Sequence, residues 1–276
     1  MRALVTLRPA ESKKLIARAV AHLPEVKQAL AEGVVIIGTG STNAEVVEAC
    51  TGAPVDRARF LAGMITRGMT CVSPRDERKP NLVLVNGQAR DMAPVEALDL
   101  PGDHKVLVKG ANAVDTDGVV GVLMAAPDGG TVGRLLGHFQ AGGWPVVVPV
   151  GLEKLIGSVP EAAARMGRAT FDLSLGARVG MMPLTTRFVM TEKEALRSLA
   201  YVNVIQVAAG GIGGSEGSVT LVLEGDDPAV KNAVSVIESV KGAQSPDPVL
   251  PVCAECTHLC DYAGRSDDDL PPFLVT

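Results

Sequence analysis

Aromatic side chains are scarce: Phe, Tyr and Trp make up 3% of the 276 residues. That leaves too few flat faces for a surface that stacks on bases. Any core must be built from Val, Leu, Ile, Ala and Met. Runs of positive charge are missing as well. With 26 Lys and Arg against 31 Asp and Glu, the formal net charge is -5, which excludes a phosphodiester backbone as the expected partner. Long apolar runs are the third absence, since no stretch reaches the roughly 18 residues of a membrane span. Charges interrupt the N-terminal MRALVTLRPAESKKLIARAV before a signal-peptide core could form. The expectation is a soluble, cytoplasmic protein with neither a nucleic-acid nor a membrane partner. Small anions stay open as ligands, because backbone amides bind them whatever the net charge.

What is present is a large apolar fraction, 47%, enough for a sizeable core in one large domain or two modest ones. Helical spacing predicts helices over 9–22 and 24–31, the second closed by Gly33. Residues 34–37, VVII, form a β-branched run of the kind found in strands covered on both faces. Further strands are expected at 81–87, 104–110, 118–125 and 144–150, with helices at 43–50, 131–140 and 161–166 between them. This alternation predicts an α/β domain over 1–183, with a mostly parallel Rossmann-like sheet and helices on both its faces. After Pro183 the pattern changes to strand, helix, strand, strand, helix. That order predicts a C-terminal ferredoxin-like α+β domain over 184–245. Residues 246–276 read as an irregular, Cys-rich tail.

The joint at 34–50, VVIIGTGSTNAEVVEAC, carries the first chemical signal. A strand that breaks into a glycine turn and then a helix exposes free N–H groups where the helix dipole is positive. Gly38, Thr39, Gly40, Ser41 and Thr42 are therefore candidate anion-binding residues. Glycine permits close approach, and the hydroxyls add donors. A capped turn at the end of a buried strand is the alternative reading. The segment is neither a Walker loop nor a dinucleotide fingerprint.

The order of motifs, GTGST, then VNGQARD, then VLVKGANAVD, resembles ribose-5-phosphate isomerases. There a GTGST loop binds phosphate and two later segments line the sugar. Residues 111–178, ANAVDTDGVVG through EAAARM, resemble the lactate-utilisation (LUD) domain. Both likenesses point to the superfamily of sugar-phosphate isomerases, DeoR-type sensor domains and CoA transferases, and together they cover 33–178. The resemblance implies ligand contacts at Asn86, Gly87 and Gly110. It departs from the isomerases where their paired aspartates would stand. Asn86 and Gln88 cannot act as bases at neutral pH, so the isomerase activity does not transfer.

Polar residues at other strand ends complete the candidate set. Lys109 could meet an anion, Asn112 could orient a carbonyl or hydroxyl, and Asp115 could be a base, with turn chemistry as the other reading for Asp115. Gly130 and Thr131 open another helix and could form a second half of the anion site. Glu153 reads as a surface carboxylate. The glycine-rich connection at 210–217 could close over a ligand if it faces the Gly38 turn. In the tail, CAECTHLC gathers Cys253, Cys256, His258 and Cys260, candidate ligands for zinc or an iron–sulfur centre. Four ligands from one short loop would strain a tetrahedron, so three thiolates plus an outside ligand fit better. Cys50 and Cys71 read as plain core thiols. Three functions follow as expectations: an enzyme that transforms a small anionic metabolite (a sugar phosphate, CoA ester or hydroxy acid), a ligand sensor, or a subunit of a larger redox complex. The partners would be that metabolite and either a second copy of the chain or a redox protein.

Overall fold

The computed structural model describes residues 1–275. Along the chain, β1 (Arg2–Leu7) leads into helices α1 (Pro9–His22) and α2 (Pro24–Glu32), then β2 (Val34–Ile37) and α3 (Ser41–Thr51). A hairpin, β3 (Gly63–Thr66) and β4 (Met69–Val72), precedes a second one, β5 (Leu82–Val85) and β6 (Gln88–Arg90). Next come β7 (Lys105–Val108), β8 (Ala113–Val114), β9 (Val120–Met124), α4 (Gly130–Gly142), β10 (Val146–Pro149) and α5 (Val159–Arg165). The chain continues through β11 (Gly180–Leu184), β12 (Val189–Met190), α6 (Glu192–Ala200), β13 (Asn203–Gly210), β14 (Ser218–Glu224) and α7 (Asp227–Glu238).

The fold is mixed α/β around a mostly parallel central sheet, ordered β12-β10-β7-β2-β5-β6. Strands β12, β10, β7 and β2 run parallel, β5 runs against them, and the edge strand β6 turns back to their direction. The apolar runs of β2, β7 and β10 are buried along their length, as strands covered on both faces require. Alternate residues feed two cores. Val35, Ile37, Val108 and Val147 pack with Leu15, Ile16 and Val46 of α1 and α3. Ile36, Leu107 and Val148 pack with Leu135 and Phe139 of α4 on the other side. Pro9 at the first turn of α1 and Pro24 at that of α2 start those helices without losing a hydrogen bond.

Three expectations are corrected. First, residues 120–124 do not join the parallel sheet. They form a separate antiparallel sheet, β11-β9-β8, which covers the α4 side through Val120, Val122 and Leu184. Second, β5 is antiparallel to β2, Val34 facing Val85 and Ile37 facing Leu82. The chain re-enters the sheet beside the end of β2 and runs back down. Third, the strand expected to open a ferredoxin-like unit is β12, and it pairs with β10 instead. The Thr186 hydroxyl donates to the Val146 carbonyl at 2.8 Å and lays the approach alongside β10. The small sheet takes its third strand from the N-terminus, in the order β1-β14-β13. Leu7, Leu221 and Leu223 of that sheet share one core with Val35 and Val147. The boundary drawn at 183/184 therefore does not separate the sheets.

No helix among the described residues is long and apolar enough to cross a membrane. From residue 239 to residue 275 the chain is irregular apart from short turns at Cys253–Glu255, Asp267–Asp269 and Pro272–Leu274.

Glu192, at the start of α6, is fully buried. One carboxylate oxygen accepts from the Leu152 amide at 2.9 Å, and the other has no partner. Burial, and then the Glu153 carboxylate, push its pKa up from 4.5 to about 7. A raised carboxyl pKa stabilises the fold below about pH 4.5, and that stability is lost as pH rises towards 7. The shift corresponds to roughly 3 kcal/mol. Glu192→Gln keeps the acceptor for Leu152 and removes the charge. Its melting temperature relative to wild type should be near zero change at pH 4.5 and higher by several degrees at pH 8. A uniform loss at both pH values would contradict this account.

Candidate functional site

The turn after β2 is built by main-chain bonds. The Gly38 amide donates to the Val108 carbonyl at 2.9 Å, extending the ladder with β7, and the Gly40 amide donates to the Phe60 carbonyl at 2.9 Å. The Thr39 amide donates to Asn81 Oδ1 at 3.1 Å. Gly40 has φ 154°, a backbone that side chains strain against. The three amides of the glycine turn are thus already engaged. The open donors lie just downstream: α3 starts at Ser41, no side chain caps it, and its first N–H groups have no intrahelical acceptor. Ser41, Thr42 and Asn43 border a cleft of about 1150 Å³.

A second helix start faces the same space. Gly129, with φ 74°, turns the chain into α4, and Gly130 and Thr131 border the cleft. The Gly130 amide is held by Asp128 Oδ1 at 2.9 Å, which partly neutralises that helix end. Asn81 joins the two helix starts. Its Oδ1 accepts from Thr39 and its Nδ2 donates to Thr131 Oγ1 at 3.2 Å. Sequence reading passed over Asn81 because it treated 81–87 as a parallel strand. With β5 antiparallel, position 81 is the one beside the end of β2.

Lys109 crosses this joint. A Cβ on Gly38 would lie 2.8 Å from Lys109 Cδ, so glycine at 38 is needed for the lysine stem to pass. Lys109 Nζ donates only a long bond, 3.4 Å, to its neighbour's carbonyl. Burial, and then the nearby Lys154 ammonium, push its pKa down to about 8. Lys154 Nζ donates to the Ala111 carbonyl at 3.0 Å. Both lysines border the cleft, as do Arg75 and Arg78. None of the four forms an ion pair among the described residues. Positive potential therefore concentrates in one concavity of an acidic protein. Asn43, fully buried, donates from Nδ2 to the Gly38 carbonyl at 2.6 Å, while its Oδ1 has no partner.

Several expected site residues take other roles. Asn112 borders the cleft, but its Oδ1 accepts from the Leu123 amide at 3.0 Å, which leaves only its amide nitrogen for a ligand. Asp115 is buried and outside the cleft lining. Its oxygens accept from the amides of Asp117, Val119 and Val159 at 3.1, 2.9 and 2.9 Å. A carboxylate saturated in this way organises a turn and the start of α5, and is not a free base. Asn86 and Gly87 have φ of 49° and 73° and make the two-residue β5–β6 turn. Because β5 runs backwards, that turn sits at the end of β2 remote from Gly38. Gly87 borders the cleft and Asn86 does not. Gly110 does border it, with its Cβ position 3.6 Å from Asn43 Oδ1. The 210–217 connection lies outside the cleft and is a hairpin loop. Glu153 is half-buried and packs over Gly151, so it is not a surface carboxylate. Among the described residues, Cys253, Cys256, His258 and Cys260 do not gather into a site for a single metal ion.

Comparison with models of protein families, with characterised proteins and with solved structures finds no match.

Two outcomes follow from this geometry without any ligand. Asp115→Ala strands buried amides and should cost about 2–4 kcal/mol in urea unfolding. The cleft-facing lysines should then keep their reactivity, whereas a ligand-facing Asp115 would alter it. Lys109 should acylate fastest among the lysines in competitive labelling near pH 8, since ordinary lysines titrate near 10.4 and stay protonated there. Labelling of Lys109 at the rate of surface lysines would refute its depressed pKa.

Proposed function

We propose that the cleft binds a small anionic metabolite and that Lys109 acts at its reacting end. One observation carries this: two helix N-termini and two lysines without carboxylate partners border one concave space. Helix starts and desolvated ammonium groups both favour negative charge, and they reinforce each other where water is excluded. The finer fold reading, a Rossmann-like member of the sugar-phosphate isomerase and CoA transferase superfamily, belongs to the same proposal. It is supported by the GTGST joint at the carboxyl end of a parallel strand, where open α/β sheets hold their ligands. The cleft, about 1150 Å³, lies just above the roughly 300–1,000 Å³ usual for small-molecule sites. Among sugar phosphates, CoA esters and hydroxy acids, that size favours the extended CoA ester.

Lys109 is the group suited to proton transfer. With a pKa of about 8 it holds both protonation states near neutrality. Its ammonium form can pair with a phosphate, carboxylate or developing oxyanion, and its amine form can take a proton. A non-catalytic sensor is the second reading, favoured by a specific observation. The carboxylates on the cleft lining among the described residues, Asp56 and Asp91, are both exposed. No buried carboxylate there resembles the bases of the isomerases.

A thermal-shift screen of sugar phosphates, CoA esters and hydroxy acids, followed by calorimetry, tests the proposal. A true ligand should lose at least about tenfold in affinity in Lys109→Met and in Lys154→Met, equivalent to about 1.4 kcal/mol each. Wild-type affinity should weaken above pH 8 as Lys109 loses its proton, and Lys109→Met should remove that pH dependence. Affinities unmoved by both substitutions would sink the proposal. Recovery of the bound ligand unchanged after long incubation would favour the sensor over the enzyme.

A further inference from the structure

We propose that Cys71, Cys253, Cys256 and Cys260 hold an iron–sulfur cluster in a small cavity beside the cleft, independently of what the cleft binds. The tail cysteines have Cys-x-x-Cys-x-x-x-Cys spacing, a short-range pattern of thiolates of the kind that clusters use. Such a run lacks one ligand. The fold supplies it from far away in the chain, because β4 brings Cys71 to the cavity that the tail cysteines line. Main-chain bonds pin the parts together. The Ala177 amide donates to the Thr70 carbonyl at 2.7 Å, the Arg178 amide to the Leu259 carbonyl at 2.7 Å, and the Gly264 amide to the Cys253 carbonyl at 2.8 Å. Strand β4, residues 176–178 and the tail thus enclose about 30 Å³, where one water needs roughly 10–15 Å³.

Geometry separates a cluster from a lone ion. Zinc bonds of about 2.3 Å draw four sulfurs onto one point, and the described residues include no three Cys, His, Asp or Glu side chains so gathered. Four cysteines do line one cavity, and a body of iron and sulfide is held by thiolates at its corners and not at one point. Charge agrees. A cluster with four thiolates is anionic, and Arg67 lies close enough to act on the Cys71 and Cys253 thiols, while Arg78 and Arg168 act on His258. The Tyr262 amide donates to Cys260 Sγ at 3.4 Å, the kind of N–H···S bond that tunes cluster potentials. The three tail cysteines lie close enough to Cys71 to act on its thiol. By contrast Cys50, which burial alone pushes up to about 12, has no such neighbours and is a core thiol. Thr70, Cys71, Val72, Ala177 and His258 line both the cavity and the cleft, so the cluster would share a wall with the metabolite site.

The test is anaerobic purification of the full chain and reconstitution with ferrous iron and sulfide, followed by iron, zinc and acid-labile sulfide analysis and a visible spectrum. Expected are equal amounts of iron and sulfide, about two to four of each per chain, with broad absorption near 400 nm. Cys71→Ser and Cys256→Ser should each lose most of the iron, whereas His258→Ala should keep it, with unfolding curves confirming that each variant is folded. The wild-type metal content decides the matter even if a variant does not fold. One zinc per chain without iron, or metal-free protein with reactive thiols, would overturn the proposal. So would iron lost in His258→Ala but kept in Cys71→Ser.

Discussion

Uncompensated positive charge at the carboxyl end of β2 is the constraint on which the rest of the site depends. The first amides of α3 and the Lys109 ammonium all face inward, and neither a side-chain cap nor a carboxylate neutralises them. The fold goes to some length to keep them so. Asn81 occupies the Thr39 amide and reaches Thr131, which holds the two helix starts at a set separation. Gly38 gives up its side chain so that the Lys109 stem can pass over it. Glu45 and Glu48 are engaged elsewhere, by Arg57, whereas Asp128 pairs with Arg134 and holds the Gly130 amide at the start of α4. Desolvated charges of one sign, held apart by a rigid sheet, are costly without a guest and well matched to an anion.

A similar logic applies to the buried carboxyl of Glu192. One of its oxygens lacks a partner and the Glu153 carboxylate lies close enough to act on it. There the cost is relieved when Glu192 holds a proton. At the cleft, Lys109 relieves it by giving one up near pH 8. Glu192 and Lys109 therefore both titrate close to neutrality, for opposite reasons of charge and the same reason of burial.

The tail shows how an irregular segment can be structurally committed. It has little regular structure, yet Leu259, Asp261 and Leu274 accept bonds from the body through Arg178, Ser174 and Arg67. These contacts place its thiols against β4, and β4 in turn borders the cleft. Two chemical environments thus meet at one hairpin, a basic cleft on one side and a cavity lined by four cysteines on the other.

Much of the local structure was legible in the residues themselves. The β-branched runs VVII and KVLV, the prolines at helix starts and the glycine joint follow from short-range sterics and periodicity, which a single strand or helix expresses alone. Of the candidate loop Gly38 to Thr42, the amides of Gly38, Thr39 and Gly40 are engaged within the fold, and the uncapped helix start lies at Ser41, Thr42 and Asn43. Strand direction and partner choice were not legible. Whether β5 runs up or down, or whether β12 joins β10 or β13, depends on where the preceding loop delivers the chain, and ladder bonds form equally well either way. That decided the fate of Asn81, Asn86 and Gly87. The role of Asp115 was settled by three amides, one of them 44 residues away. Cys71 looked like a core thiol because its neighbours in sequence are apolar, while its neighbours in space are cysteines from the far end of the chain. Sequence by itself determined the buried runs of the central sheet and the starts of several helices, but left β1, the β3–β4 hairpin and β11 unmarked. Tertiary structure alone decided which side chains share a cavity, because burial and proximity are properties of contacts between distant segments.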